Sequence, residues 1–212
     1  MRHFVIILCL LSPCLSLAAE SSDKTEWQEI KKAEGIQLYS SSVAGTTILK
    51  VKAVAVIDAD INSIKAVIDD VAHHPGWLPY LIETRVLDQI SATESLFYSR
   101  FDASWPARDR DAVYRVRVIQ REDGSIVYQQ QSQQSSLMPA QDDYVRATLM
   151  QSSYSLMPVA GNRTRVELLL HADPHGKLPM WIVNIVQQKL PFESLRGLIK
   201  QVEEGQEVLS AD

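Results

Sequence analysis

The chain has 212 residues, 46% of them apolar, with 26 acidic against 21 basic side chains and a net charge of −5. That balance disfavours nucleic acid as a partner, because such affinity is built from phosphate neutralisation, and it argues against tight electrostatic docking on anionic membranes.

Arg2 and His3 form a short positive start, Phe4 to Leu17 is apolar, and Leu17-Ala18-Ala19 supplies small residues for cleavage. This pattern predicts a removable signal peptide over residues 1–19, followed by a single domain over 20–212 that is secreted or periplasmic. The apolar stretch, interrupted by Pro13, is too short to span a bilayer. Cys14 follows Pro13 rather than a small residue, so lipid modification is not expected. Both cysteines, Cys9 and Cys14, leave with the signal, which removes disulfide and thiol chemistry from the mature chain.

Gly35 to Tyr39 and Thr47 to Ile57 read as strands; in the second, Leu49, Val51, Ala53, Ala55 and Ile57 share one face and Lys50 and Lys52 the other. Asp60 is a candidate N-cap for a short helix carrying Ile61, Ile64, Ile68 and Val71, which His74-Pro75-Gly76 should break. From Val86 to Leu170 the pattern is strands and turns. Phe97 and Phe101 alternate with Leu96, Tyr98 and Arg100; Ala112, Tyr114, Val116 and Val118 alternate with Val113, Arg115, Arg117 and Ile119, the arginine side being read as solvent. Glu122-Asp123-Gly124-Ser125 and Ala160-Gly161-Asn162 are predicted hairpin turns. The glutamine-rich stretch from Ile126 to Gln134 is predicted to be a polar edge strand. Pro179 to about Glu204 is a long amphipathic helix with Gln187, Gln188 and Lys189 outward, and Pro191 should kink it or start a second segment.

Signals for catalysis are sparse. His171, Asp173 and His175 have metal-capable groups at close spacing, but Pro174 restricts the backbone between the imidazoles, and a hydrogen-bonded corner is the expected role. His73-His74 lacks a third ligand at useful spacing. No serine stands in a G-x-S-x-G elbow, and the paired acids Asp69-Asp70, Asp142-Asp143 and Glu203-Glu204 are expected to be solvated. Asn162-Arg163-Thr164 is formally a glycosylation acceptor. No cofactor and no metal are expected.

Two motifs stand out. Asp173-Pro174-His175-Gly176-Lys177-Leu178-Pro179-Met180-Trp181-Ile182-Val183-Asn184 joins an apolar strand to the long helix, and Trp105-Pro106-Ala107-Arg108-Asp109-Arg110-Asp111 precedes a strand upstream. The first resembles the D-P-x-G-x-[IL]-P-x-W-[LIV]-V-N signature of START domains, the StAR-related lipid-transfer family, and the second is similar to that family's W-P-x-x-x-R-D turn. The resemblance spans roughly Trp27 to Glu204. It implies an α+β helix-grip fold of the START and Bet v 1 kind, a curved antiparallel sheet wrapped around a C-terminal helix with an apolar tunnel.

The same resemblance implies non-covalent binding, with transfer, of one lipid (a phospholipid, sterol or fatty acid) by a monomer that touches membranes transiently. Phe97, Phe101, Tyr114, Val116, Val183, Val186 and Leu190 are the expected lining. Trp105, Pro106, Arg110, Asp111, Asp173, Pro174, Gly176, Pro179, Trp181 and Asn184 are expected in structural roles: Trp105 filling the corner into the next strand, Trp181 buried as a wedge under the last helix, and Asn184 bonding a neighbouring loop. Two alternatives stay open. One is a helix-grip enzyme of cyclase or aromatase type acting on a hydrophobic small molecule, with Tyr98, Arg100, Tyr114 or His171 moving protons. The other is a scaffold protein whose cavity is filled by side chains.

Overall fold

The computed structural model describes residues 26–210 apart from Ser104 and Pro106; the leader expected at residues 1–19 and Pro106 of the upstream motif lie outside those residues. The elements in chain order are β1 (Gln28–Ala33), β2 (Ile36–Ser41), β3 (Lys50–Ile57), α1 (Ile61–Asp69), a single 3-10 turn (Val71–His73), α2 (His74–Trp77), β4 (Leu81–Ser91), β5 (Glu94–Phe101), β6 (Arg110–Gln120), β7 (Ile126–Ser132), β8 (Val145–Arg146), β9 (Thr148–Val159), β10 (Arg163–Asp173) and α3 (Met180–Ser210). The strands form one curved sheet in the order β1-β2-β3-β10-β9-β7-β6-β5-β4, with β8 added in parallel to the start of β6. Every pairing along the main path is antiparallel.

Local chemistry explains most of these elements. In β3 the apolar alternation buries Val51, Ala53, Ala55 and Ile57 on the concave face. On the convex face the Lys52 ammonium lies 4.4 Å from the Trp27 ring centroid and 4.0 Å from a Glu167 carboxylate oxygen. Asp60 caps α1 by accepting from the amides of Asn62 and Ser63 at 2.9 and 3.1 Å. The main core lies where α1 and the C-terminal half of α3 meet the concave face: Ile64, Leu195 and Leu198 pack with Ile36, Val51, Leu156 and Val166, all fully buried.

Three expectations about elements are corrected. His74-Pro75-Gly76 does not end helical structure but opens α2, because proline near a helix start forfeits no needed donor. The glutamine-rich strand β7 is central, paired to β6 on one side and β9 on the other. Its Ile126, Val127 and Tyr128 are buried, while Gln129 and Gln131 reach the convex surface. The edges are β1 and β4. Thirdly, α3 continues through Pro191 as one helix rather than starting a second segment there, and Gln187 points inward, only 3% exposed.

The convex face is also drier than its arginines suggested. Leu96, Tyr98 and Val113 form a second small core with Met138, beneath the connection between β7 and β8.

Gly197 is the tightest point of the helix packing: a β-carbon there would collide with the Trp77 carbonyl oxygen. Gly205 on the same helix faces open space. Alanine normally stabilises a helix over glycine by about 1 kcal/mol, so the two sites should diverge. Gly205→Ala should leave the protein unchanged or raise its melting temperature slightly. Gly197→Ala should lower stability by about 1–3 kcal/mol through overpacking against rigid backbone. Paired thermal or denaturant melts check this, and equal shifts would contradict the packing described.

Candidate functional site

Between α3, α1, α2 and strands β4 to β10 lies a cavity of about 750 Å³. Its floor is the concave face: Phe97 and Phe101 from β5, Tyr114, Val116 and Val118 from β6, Tyr128 and Gln130 from β7, Ser152 and Tyr154 from β9, Leu168 and Leu170 from β10. Ile182, Val183, Val186, Gln187 and Leu190 of α3 form one wall, and Trp77, Leu78 and Tyr80 another. The Phe97 and Tyr114 rings stack at 5.8 Å. All seven residues expected from the sequence to line a cavity border this one.

Its polar groups are mostly matched within the wall. Ser99 Oγ donates to Thr84 Oγ1 at 2.9 Å and lies 2.8 Å from the Tyr114 hydroxyl. Ser152 Oγ donates to Gln130 Oε1 at 3.0 Å, and the Tyr128 hydroxyl donates to Asp69 at 2.8 Å. The Gln187 amide nitrogen donates to the Ala172 carbonyl. Trp77 Nε1 and Gln187 Oε1 are buried without a hydrogen-bond partner.

The corner from which α3 departs is held by Arg110. Its guanidinium donates to the carbonyls of Arg108, Pro174 and His175 at 2.6, 3.3 and 3.2 Å. Gly176 takes φ +77, a conformation that glycine adopts without strain. Next in sequence, Asp111 is fully buried and receives two 2.8 Å bonds from Arg146, a bidentate pair. Asn184 ties α3 to the segment before β3, accepting from the Leu49 amide at 3.1 Å and donating to the Thr47 carbonyl at 3.2 Å.

This architecture has known counterparts. A model of the START domain matches residues 14–207. The chain belongs to the START domain family. A StAR-related lipid transfer protein from Xanthomonas axonopodis superposes with a TM-score of 0.75 at 25% identity, over 84% of this chain and 98% of that one. Human START domain-containing protein 10 has the same fold, with a TM-score of 0.77 at 21% identity over 88% of this chain and 78% of the other. In sequence, an uncharacterised Pseudomonas aeruginosa protein is 25% identical over 92% of this chain and 95% of its own length. The phosphatidylcholine transfer protein of Rattus norvegicus is 24% identical over 88% of each chain.

Within this START fold the two signature tryptophans are not where the sequence placed them. Trp105 is 93% exposed and Trp181 is 66% exposed. Trp181 lies one turn before exposed Ile185, on the face opposite the inward stripe of Val183, Gln187 and Leu190. Pro179 stands just before α3 rather than inside it, and its carbonyl accepts from Ile182 and Val183 at 2.9 and 3.2 Å. Asp173 bonds the His175 amide at 2.7 Å, and the His175 ring lies within 3.2 Å of Asp173 and 2.9 Å of Thr148. Among the described residues no cluster of three metal-capable side chains forms. Of the candidates for proton transfer, Tyr98 and Arg100 project to the convex side; the Arg100 guanidinium bonds the Tyr144 hydroxyl at 2.9 Å. Tyr114 alone borders the cavity, and burial pushes its phenol up.

Two further residues of the wall, Tyr80 and His74, were not among those expected to line the cavity. Tyr80, at φ +62, places its ring 5.5 Å from the Lys189 ammonium and so links the β4 approach to α3. The Tyr80 hydroxyl holds the Lys189 pKa above the ordinary lysine value. His74 contacts the Ile68 carbonyl at 2.8 Å and packs edge-on against Trp77. Burial pushes its imidazole down from the ordinary 6.5, and the Ile68 carbonyl only partly opposes that.

His171 is likewise lowered by burial and then by Lys50. A histidine whose folded pKa lies below its unfolded value binds fewer protons when folded, so its contribution is fully present above the unfolded pKa and is lost as pH falls from there through the folded pKa. The melting temperature should therefore drop as pH is lowered from 7 towards 5. His74→Gln with His171→Gln should flatten that slope, and an unchanged slope in the double variant would show that other groups control it.

Proposed function

We propose that this chain binds one lipid non-covalently in the cavity and carries it between membranes, with the N-terminal half of α3 and the approach to β4 as the movable wall. The observation that carries the reading is a cavity of about 750 Å³, within the range of roughly 300–1,000 Å³ typical of small-molecule sites, walled mainly by apolar side chains. Burial contributes about 0.8 kcal/mol per CH2, so a sixteen-carbon chain approaches roughly 12 kcal/mol before entropy is subtracted. The Xanthomonas and rat relatives are named as lipid and phosphatidylcholine transfer proteins, which supports the same reading.

The cavity works as a tunnel in this account, and binding rather than catalysis is its activity. The phenols that border it hold their protons tightly, and His74 is engaged by a backbone carbonyl. We place the protein outside the cytoplasm, released from its leader, on the strength of the pattern in the first nineteen residues; N-terminal sequencing of the natural product tests that.

Native mass spectrometry of protein purified from its own host, followed by organic extraction, should find one lipid per chain, chemically unaltered. Ser152 is buried on the cavity floor, and Ser152→Phe should abolish lipid retention while lowering stability by no more than about 1–3 kcal/mol. An empty wild type, or a variant that retains lipid fully, would overturn the reading.

Membrane contact is assigned to the exposed indoles. Trp105 is in the β5–β6 connection, whose Asp102 and Ala103 border the cavity, and Trp181 is in the first turn of α3, beside Ile182. Indoles partition to the membrane interface. Trp105→Ala with Trp181→Ala should slow vesicle-to-vesicle transfer severalfold, with stability changed by less than about 0.5 kcal/mol per site, as for exposed positions. An unchanged transfer rate would remove the indoles from docking.

A further inference from the structure

The convex side of β5, β6 and β7 carries a second cavity, on the opposite face of the sheet from the floor of the first. It encloses about 260 Å³ and is lined by Arg115 and Arg117 of β6, Gln129, Gln131 and Ser132 of β7, and Gln133 just beyond. Strand register brings these side chains together. Arg115 pairs with Gln131 and Arg117 with Gln129, so the four stand at the corners of a rectangle about 4.8 Å across the strands and about 6.8 Å along them.

Charge is unbalanced here. Glu94 of β5 is shared by both guanidiniums: Arg117 donates to it through Nε at 2.7 Å with Nη2 at 2.6 Å, and Arg115 Nη1 lies 3.6 Å away. The Arg117 bond holds the Glu94 carboxyl below the ordinary glutamate value, so it is ionised and offsets one of the two cations. The chain has more acids than bases, yet the cross-strand partner of each arginine is a neutral glutamine. A carboxylate at either position would have completed a favourable pair.

Donors also outnumber acceptors. Arg115 Nε donates to Gln133 Oε1 at 2.8 Å, which leaves the Gln133 amide hydrogens available. Among the described residues, Arg115 Nη2 and Arg117 Nη1 have no acceptor, and the Gln129 and Gln131 amides have no partner. Guanidinium N–H groups converging from two side chains match an oxyanion with several acceptor oxygens. Glutamine amides, which both donate and accept, match hydroxyl groups. The volume falls below the roughly 300–1,000 Å³ of drug-sized sites, so the occupant is small.

We propose that this convex cavity is a second binding site, for the phosphate ester of a small polyol, with the phosphate on Arg115 and Arg117 and the hydroxyls on Gln129, Gln131 and Gln133. A soluble sugar phosphate and a phosphorylated lipid headgroup share that chemistry. The two cavities stand back to back: β6 turns Tyr114, Val116 and Val118 into one and Arg115 and Arg117 into the other.

Calorimetric titration of the full protein with glycerol 3-phosphate at constant ionic strength, with glycerol as control, tests the proposal. The ester should bind once per chain, at least about tenfold more tightly than glycerol, the scale of one hydrogen bond to a charged group. Gln129→Glu with Gln131→Glu sets carboxylates opposite both guanidiniums; it should weaken binding by about tenfold or more without lowering the melting temperature. Co-sedimentation with phosphatidylcholine vesicles, with and without phosphatidylinositol, separates the sources. Capture that requires phosphatidylinositol and is lost in the glutamate variant assigns the headgroup, whereas saturable binding of the free ester without capture assigns the soluble compound. Neither saturable binding nor capture, or binding that the glutamate variant keeps, would overturn the proposal. Lipid retention in the first cavity should be equal in wild type and variant, so its failure and that of the lipid-carrier reading are separate results.

Discussion

A single helix cannot cover this sheet. The main path has nine strands, which at about 4.8 Å per strand is roughly 40 Å of width, whereas a helix with its side chains is about 10–12 Å across. α3 packs against β2, β3 and β10, and α1 adds its apolar face beside it. The remaining strands curve over space that the chain has too few helical residues to fill. A dry void of 750 Å³, at about 24 cal/mol per Å³, would cost on the order of 18 kcal/mol, more than the roughly 5–15 kcal/mol by which domains are stable. The cavity is thus a product of layer geometry that needs contents, and the apolar character of its wall sets their kind.

What keeps the helix over the sheet is polar and local. Arg110 and Asp111 are adjacent, so they lie on opposite faces of β6. Arg110 grips the main chain of the corner that launches α3, and Asp111 grips Arg146 in the short parallel strand β8. One dipeptide thereby fixes the concave corner and the convex strap together. Burial lowers the Arg110 pKa, yet an arginine stays charged, and three carbonyl acceptors compensate its desolvation without a carboxylate.

The sequence made the frame legible where local patterns agreed with global ones. The alternation in β3, the Asp60 cap and the glycine corner at Gly176 each have a short-range cause, and the seven expected lining residues sit on inward faces of strands and helix. Misreadings arose where a side chain's type competed with its position. Trp105 and Trp181 were expected inside because the motifs that carry them resemble a family's signatures, and a motif match does not fix which way each indole faces. Glutamine-rich β7 looked like an edge because its polar residues were counted without knowing that both neighbouring strands pair with it. Gln187 follows the same rule in reverse, a polar residue on the inward stripe whose partner, Ala172, belongs to another element. The place of Gly197 depends on the Trp77 backbone 120 residues earlier, which no window of sequence can display.

Pro191 divides α3 in a way its continuity conceals. It is fully buried and has no amide hydrogen to offer the Gln187 carbonyl one turn back. On its C-terminal side, Phe192, Leu195, Leu198 and Val202 are buried in the main core. On its N-terminal side, the helix borders the cavity and is tied down mainly by side-chain bonds from Asn184 and Gln187. The two halves therefore differ in what holds them, the one behind the proline by burial in the main core and the one ahead of it mainly by side-chain hydrogen bonds. A molecule held in the cavity would border mainly the half ahead of the proline, with Ser194 the lining residue behind it, so occupancy would be registered chiefly as slower amide exchange ahead of Pro191.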